Sequence, residues 1–404
     1  MLKRAGGVRR RVVLQSAAVL MAAPAVIRKA AAADPIKIGL PCAVTGAAGS
    51  VGTQLRRACE FWAKQVNAKG GLLDGRMIQL SFEDTGGNPA TCVRKAQEMV
   101  ERDGVRILTA IVASNEALAT VPKLAEWDTI FVSGDNGDGR LTGESLVPNF
   151  FRPNVSGPMG TRVVALWLRD SPMKAFYGIG MDYAWGHNSM DVFEQEVKKA
   201  GRSFLGAVYS PIGTKDFSTY ITKIRQSGAD GVYLVLSGDD YNAFLTQAKQ
   251  YRLGDKVQML TEIADELVLQ ATGDASLGLV GSSRYPNSLD NPQNKAFVAA
   301  WKAEYGKEPW MFEGDQYQSC MALQAGIEKA GSIEASKLRA ALEGLQIDSV
   351  KGPLTMRACD HQGEQPGFVV KVEKGPDGKP RPNVIASYPA DKVTPACKQM
   401  TYTD

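Results

Sequence analysis

Few side chains in this sequence could do covalent chemistry. Two histidines occur, His187 and His361, and neither stands at metal-ligand spacing of the His-Glu-x-x-His kind. There is no Gly-x-Ser-x-Gly elbow and no phosphate loop ending in Gly-Lys-Ser/Thr. Gly178-Ile-Gly180 begins like a dinucleotide loop, but Tyr183 stands where the third glycine belongs, so a nicotinamide reading fails. The six cysteines include no Cys-x-x-Cys pair, which removes the support for a zinc or thiol-redox motif. No metal and no cofactor is therefore expected. A secreted α/β hydrolase would have to use Asp135, Asp138 or His187 as its acid and base, and Asp, Asn and Gly at 135–138 equally suit a solvated turn.

Groups suited to binding are better supplied. Hydroxyl, carboxylate, amide and aromatic residues recur just beyond short β-type runs. Thr45-Gly46-Ala47 to Val51-Gly52 follow "IKIGL", Ser114-Asn115 follow "ILTAIVA", and Asp135-Asn136-Gly137 follow "TIFVSG". Asp182 to Gly186, with Tyr183 and Trp185, follow "AFYGIG"; Asp239-Asp240-Tyr241 follow "GVYLVLSG"; Glu262 follows "VQMLT". Ligands of an open parallel sheet sit beyond the carboxyl ends of its strands, so these positions share one edge.

The elements that carry them alternate. Leu55, Cys59, Trp62 and Val66 are spaced as one face of a helix. Asn88-Pro89 reads as an N-cap followed by proline in the first turn, with Val93, Ala96 and Val100 facing inward. Strand and helix alternate to Gly134, and the pattern restarts after Phe150-Phe151-Arg152-Pro153. Helices are expected at 159–168, 189–200, 217–227, 241–251, 293–305 and 315–330. The end differs: "GPLTMRACD", "GFVVKVEKG" and "NVIASYP" predict a small antiparallel finish. The expected class is α/β, with two doubly wound parallel sheets covered by helices on both faces.

Composition is that of a globular protein: 404 residues, 44% hydrophobic, 22% charged. The net charge is +4, part of it within the first 29 residues, so the remainder gives no support for a nucleic-acid or anionic-membrane partner. Arg9-Arg10-Arg11, an apolar alanine-rich run to Ile27, Arg28-Lys29 and Ala30–Ala33 have the three parts of an export signal. The Arg10-Arg11-x-Val-Leu order is twin-arginine-like. Residues 1–33 are read as this signal, cleaved near Ala33, with no cysteine there to carry a lipid. An oxidising compartment permits disulfides, and Cys359–Cys397 is the favoured pair because both lie in the C-terminal strand-and-turn region. The pairing of Cys42, Cys59, Cys92 and Cys320 stays open, buried free thiols included.

With these residues in view, the sequence resembles the type I periplasmic solute-binding proteins of ABC importers, the group related to branched-chain amino acid binding proteins. The resemblance rests on "IKIGLPCAVTGAAGSVG", "VNAKGGLLDGRMIQLSFED", "ILTAIVASNEALATVP", "FFRPN", "MDYAWG", "KDFSTYITKIRQSGADGVYL" and "VKGPLTM", in the family's order. It implies two α/β lobes joined by three crossings, near Arg152–Asn154, Gly254–Lys256 and Val350–Gly352. Lobe 1 is then 34–153 plus 257–350, and lobe 2 is 154–256 plus 351–404. It also implies a monomer without covalent chemistry, which captures a small solute such as an amino acid by hinge closure and passes it to a membrane permease. Asp135 and Trp185 fit an aromatic or hydroxylated carboxylic acid as well, through a phenol donating to Asp135 and a ring against Trp185. The same fold in a receptor's sensory module is a further reading.

Carried over position by position, the family's carboxylate-binding serine falls on Ser114 and its small-residue loop on Asp135, Asn136 and Gly137. The ammonium-binding glutamate falls on Glu262, the apolar wall on Val51, the aromatic lid on Trp185 beside Tyr183, and the position after "GVYLV" on Ser237. Asp135 departs from the family's Ser, Ala or Thr, and an acid there repels a carboxylate unless it is paired.

Overall fold

The computed structural model describes residues 34–397; the expected export signal over 1–33 lies outside them. The first apolar runs build one parallel sheet. Its strands are β1 (Ile36–Cys42), β2 (Ile78–Asp84), β3 (Ile107–Leu108), β4 (Ile130–Val132) and β5 (Phe150–Phe151), in the order β2-β1-β3-β4-β5. Helices α1 (Gly49–Ala68), α2 (Pro89–Asp103) and α3 (Ser114–Thr120) connect them. The Asn88 side chain accepts from Thr91 N at 3.0 Å with Pro89 next to it, so this start is fixed by a cap as the sequence predicts.

The second sheet repeats that order. Strands β6 (Ala175–Met181), β7 (Ser203–Ser210), β8 (Gly231–Val235), β9 (Gln258–Thr261) and β10 (Val280–Ser283) run β7-β6-β8-β9-β10, all parallel. Helices α4 (Gly157–Leu168), α5 (Ala184–Lys199), α6 (Ser218–Gln226), α7 (Gly238–Gln250) and α8 (Glu266–Thr272) alternate with them. The chain then returns to the first lobe. Helix α9 (Pro292–Tyr305) places Phe297 and Trp301 around Phe61 of α1, and α10 (Met311–Ala330) packs along α1, followed by α11 (Ala335–Leu342). A small antiparallel sheet of β11 (Gln346–Ser349), β12 (Gly352–Met356) and β13 (Gly363–Glu364) leads back to β14 (Gly367–Lys374) and β15 (Pro380–Tyr388), which extend the second sheet antiparallel from β10.

Two expectations change. The sequence reading assigns 257–350 to lobe 1, yet β9 and β10 pair with β8 and β14, so 257–283 belong to the second sheet and the middle crossing follows Ser283 rather than Gly254–Lys256. Alternation identifies a buried parallel strand but not which sheet receives it, because the pairing is non-local. The helix expected from Ser189 begins at Ala184, which draws Trp185 and Gly186 into its first turn. A Cβ on Gly186 would collide with the Met181 carbonyl, so only glycine lets this turn lie so close to the strand end.

The crossings are tied by buried polar side chains. Arg152, fully buried, donates from Nε to Gln362 Oε1 at 2.6 Å and from Nη1 to the carbonyls of Asn136 and Asp138. Gln318 and Gln365 both donate to Pro153 O. At the last crossing, Lys351 and Asp315 form an ion pair of 2.6 Å with neither side chain exposed. Cys359 is bonded to Cys397, and the other four cysteines are buried free thiols. Among the described residues no helix is long and apolar enough to cross a membrane.

Candidate functional site

In the strand order 2-1-3-4-5 the connections leave in opposite directions from the first and third strands, which opens a crevice at their carboxyl ends. Both sheets have that order, and their two crevices face each other. One cavity lies between them, about 680 Å³ with its open mouth included. From the first sheet its wall takes Ala47 and Val51 beyond β1, Ser114 beyond β3, and Asp135 and Gly137 beyond β4. From the second it takes Met181 at the end of β6, Tyr183 and Trp185 beyond it, Ser237 beyond β8, Ile263 beyond β9 and Arg284 beyond β10. The facing loops touch. Gly139 N donates to Asn188 Oδ1 at 2.8 Å, and a Cβ on Gly238 would lie 2.6 Å from the carbonyl oxygen of Ala47.

Ser114 Oγ accepts from the backbone N–H groups of Gly137 and Asp138, each at 3.1 Å. Two accepted bonds use the hydroxyl's lone pairs and leave its proton to donate to a solute oxygen. Tyr183 and Trp185 form the aromatic wall, their rings 5.9 Å apart and tilted by 51°. Trp185 is 3% exposed although it belongs to no single lobe's core alone: it packs against Gly137 across the cleft, where a Cβ would collide with its ring. Ile212, 47% exposed, supplies an apolar lip at the mouth.

The site's charge is set by three side chains. Arg284 donates from Nη1 to Asp135 Oδ1 at 2.9 Å and to Asp135 O at 2.6 Å, and from Nη2 to Glu262 Oε2 at 3.2 Å. Its guanidinium also lies 6.0 Å from the Trp185 ring centroid. Burial works against the charge of Arg284, but Glu262 and Asp135 outweigh it and hold the group protonated beyond its ordinary range. Burial pushes the Asp135 carboxyl up to about 7 despite the opposing pull of Arg284, with Asp315 and Glu262 adding repulsion. Glu262 is raised as well, by burial first, with Arg284 again opposing.

Of the positions named from the sequence, Val51, Ser114, Asp135, Gly137, Tyr183, Trp185 and Ser237 line the cavity. Two are displaced. Asn136 turns its side chain into the fold: its Nδ2 donates to Val112 O at 3.1 Å and its Oδ1 accepts from Ser133 Oγ at 3.0 Å. That amide holds the loop's shape, and the solute-facing role falls to its neighbours. Glu262 is completely buried behind Arg284 and off the cavity wall, so the expected ammonium acceptor already has a cation of the protein's own. Arg284, Met181, Ile263 and Phe312 were not anticipated. Applying the strand-end rule to "GLVGSSRY" yields Arg284 directly, since it is the residue after β10. The hydrolase set is scattered: Asp138 is buried and paired with Arg140 at 2.7 Å, while His187 bonds Asp182 at 2.7 Å on the outer surface and stacks on Tyr209.

Two α/β lobes closing their strand ends around one apolar and aromatic cavity define a solute-binding clamshell. The sequence profile of the periplasmic binding protein family matches residues 35–378, and the chain belongs to that family. It is thus a periplasmic solute-binding protein of the kind that serves ABC importers, and the family is exported to the periplasm. It is 25% identical over 346 residues to a leucine-, isoleucine-, valine-, threonine- and alanine-binding protein of Pseudomonas aeruginosa, covering 83% of this chain and 89% of that one. An ABC transporter substrate-binding protein from Sphaerobacter thermophilus is 26% identical with TM-score 0.81, covering 88% and 98% of the two chains. A Rhodopseudomonas palustris solute-binding protein in complex with 4-hydroxybenzoate shares the fold, with TM-score 0.82, 24% identity and the same coverage.

Proposed function

We propose that this chain captures a small organic acid with an apolar or aromatic body, an amino acid or an aromatic or hydroxylated carboxylic acid, and delivers it as a monomer to an inner-membrane ABC permease without covalent chemistry. The observation that carries the reading is the inter-lobe cavity, in which the Ser114 hydroxyl keeps a proton to donate opposite the Tyr183–Trp185 wall. The names of its relatives, which mention aliphatic amino acids and 4-hydroxybenzoate, support the same solute range. Ser114, Asp135, Gly137, Val51, Tyr183, Trp185 and Ser237 are the proposed contacts, with Glu262 acting through Arg284. The lobes are read as 34–153 plus 284–350 and 154–283 plus 351–397, turning about the three crossings. Export uses the twin-arginine-like segment, removed near Ala33.

The test is mass spectrometry of small molecules released on denaturing freshly purified protein, paired with thermal shifts in a panel of amino acids, aromatic acids and short carboxylates. A ligand that binds only the native state raises the melting temperature selectively. A flat response across the panel with nothing released would overturn the proposal. Turnover of an ester or amide lost in Asp135→Asn would favour the hydrolase instead.

A further inference from the structure

We propose that Arg284 stands where an amino-acid solute would place its ammonium group, so that the cavity selects carboxylic acids lacking an α-ammonium. The inference rests on the solute-binding reading above and narrows it to one class.

The charged residues on the cavity wall are Asp135 and Arg284. The acid on the wall, Asp135, and the acid behind it, Glu262, are both already bonded to the one guanidinium. Glu262 is sealed in on its far side as well. It has no exposed surface, and a Cβ on Gly160 of α4 would collide with its Oε1. To reach either acid an ammonium would have to displace Arg284, which is 3% exposed and anchored by four hydrogen bonds of 2.6, 2.9, 3.2 and 3.5 Å. If Arg284 stays, the ammonium faces a like charge between two protein walls, where repulsion is less screened than in bulk water. At the Trp185 ring, too, an ammonium would meet this guanidinium, which lies 6.0 Å from the centroid.

A carboxylate meets the opposite situation. It is drawn to the guanidinium and can accept from the Ser114 hydroxyl, whose lone pairs are already committed to Gly137 N and Asp138 N. Nε of Arg284 is a buried donor without a partner among the described residues, so the guanidinium is not fully satisfied by Asp135 and Glu262. Selectivity then comes from an unfavourable contact with the wrong solute as much as from a favourable one with the right solute.

The experiment compares matched pairs by calorimetry and thermal shift on the full exported chain: 3-phenylpropanoate against L-phenylalanine, 3-(4-hydroxyphenyl)propanoate against L-tyrosine, and 4-methylpentanoate against L-leucine. The expected result is at least about tenfold tighter binding of the deamino member in any pair that binds, a difference of about 1.4 kcal/mol. Arg284→Met frees both carboxylates and is expected to reverse the preference. Should that variant fail to fold, Arg284→Met with Glu262→Gln retains one acid and is expected to abolish the preference for the deamino member. Equal or tighter binding of the amino acid by the unaltered protein overturns this inference and leaves solute binding standing. No binding of either member in any pair also overturns this inference, while solute binding itself stands or falls with the released-molecule and panel test above.

Discussion

Arg284 Nη1 lies 2.9 Å from Asp135 Oδ1, and this one ion pair joins the carboxyl edge of the second sheet to that of the first. It explains how an acid can stand on the wall of this cavity without an unpaired charge. It also bears on what protons do there, since burial, with Asp315, Glu262 and Asp265, presses Asp135 towards its protonated form and Arg284 opposes them.

The folded carboxyl of Asp135 titrates near 7, above its unfolded value of about 3.9. A raised pKa contributes stability that is complete below the unfolded value and is lost as pH rises through the folded one. The melting temperature of solute-free protein is therefore expected to fall between about pH 4 and pH 7, and Asp135→Asn to flatten that profile. Asp265 is likewise raised to about 7, chiefly by burial, so the variant removes only part of the slope. Binding of a carboxylate should weaken above pH 7, by up to about tenfold per unit, because the carboxylate favours protonated Asp135. Calorimetry at pH 6 and pH 8 checks this; an unchanged or tighter affinity at pH 8 contradicts it.

Truncating the aromatic lid should cost binding far more than folding. Trp185→Ala is expected to lose about 2 kcal/mol or more of solute affinity, as buried aromatic anchors do, and Trp185→Phe to recover part of it. Titration calorimetry gives the loss; denaturant unfolding of the solute-free variants shows whether the lobes remain intact.

Ser114→Ala removes one solute donor and leaves two backbone N–H groups, those of Gly137 and Asp138, without their acceptor. Weaker binding by about 1–3 kcal/mol is expected, together with a lower melting temperature. Ser114→Thr retains the hydroxyl and should recover most of the stability.

Gly238 has φ +57 and sits against Ala47 of the opposite lobe. In Gly238→Ala the new methyl would lie 2.6 Å from the carbonyl oxygen of Ala47, so full closure is obstructed. Small-angle scattering should show the variant keeping its solute-free radius of gyration when solute is added, whereas the parent contracts. Equal contraction in both would remove this contact from the closing path.

Lys351 and Asp315 form a wholly buried pair at the last crossing. Lys351→Met strands a carboxylate and should cost about 3–5 kcal/mol of stability, read from urea unfolding. Lys351→Met with Asp315→Leu should restore most of it, since two apolar groups carry no desolvation penalty.

The α/β alternation and the strand-end positions were legible because they depend on local periodicity: Leu55, Cys59, Trp62 and Val66 mark α1, and Ser114, Asp135 and Trp185 follow β3, β4 and β6. What depends on pairing at a distance was hidden. The sheet that receives β9 and β10 is such a case, and the misplacement of 257–283 concealed the role of β10. Arg284 was overlooked for that reason, and without it Asp135 read as an anomaly and Glu262 as a solute contact. The inward turn of Asn136 likewise depends on Val112 and Ser133 being its neighbours in space.

Arg152 binds the backbone of the solute loop at Asn136 and Asp138 from within the first crossing strand. Those two bonds couple the pivot to the loop, so that a turn at the crossing carries the loop's backbone with it. The cleft's opening angle and the shape of its first-lobe rim are thereby set together rather than separately.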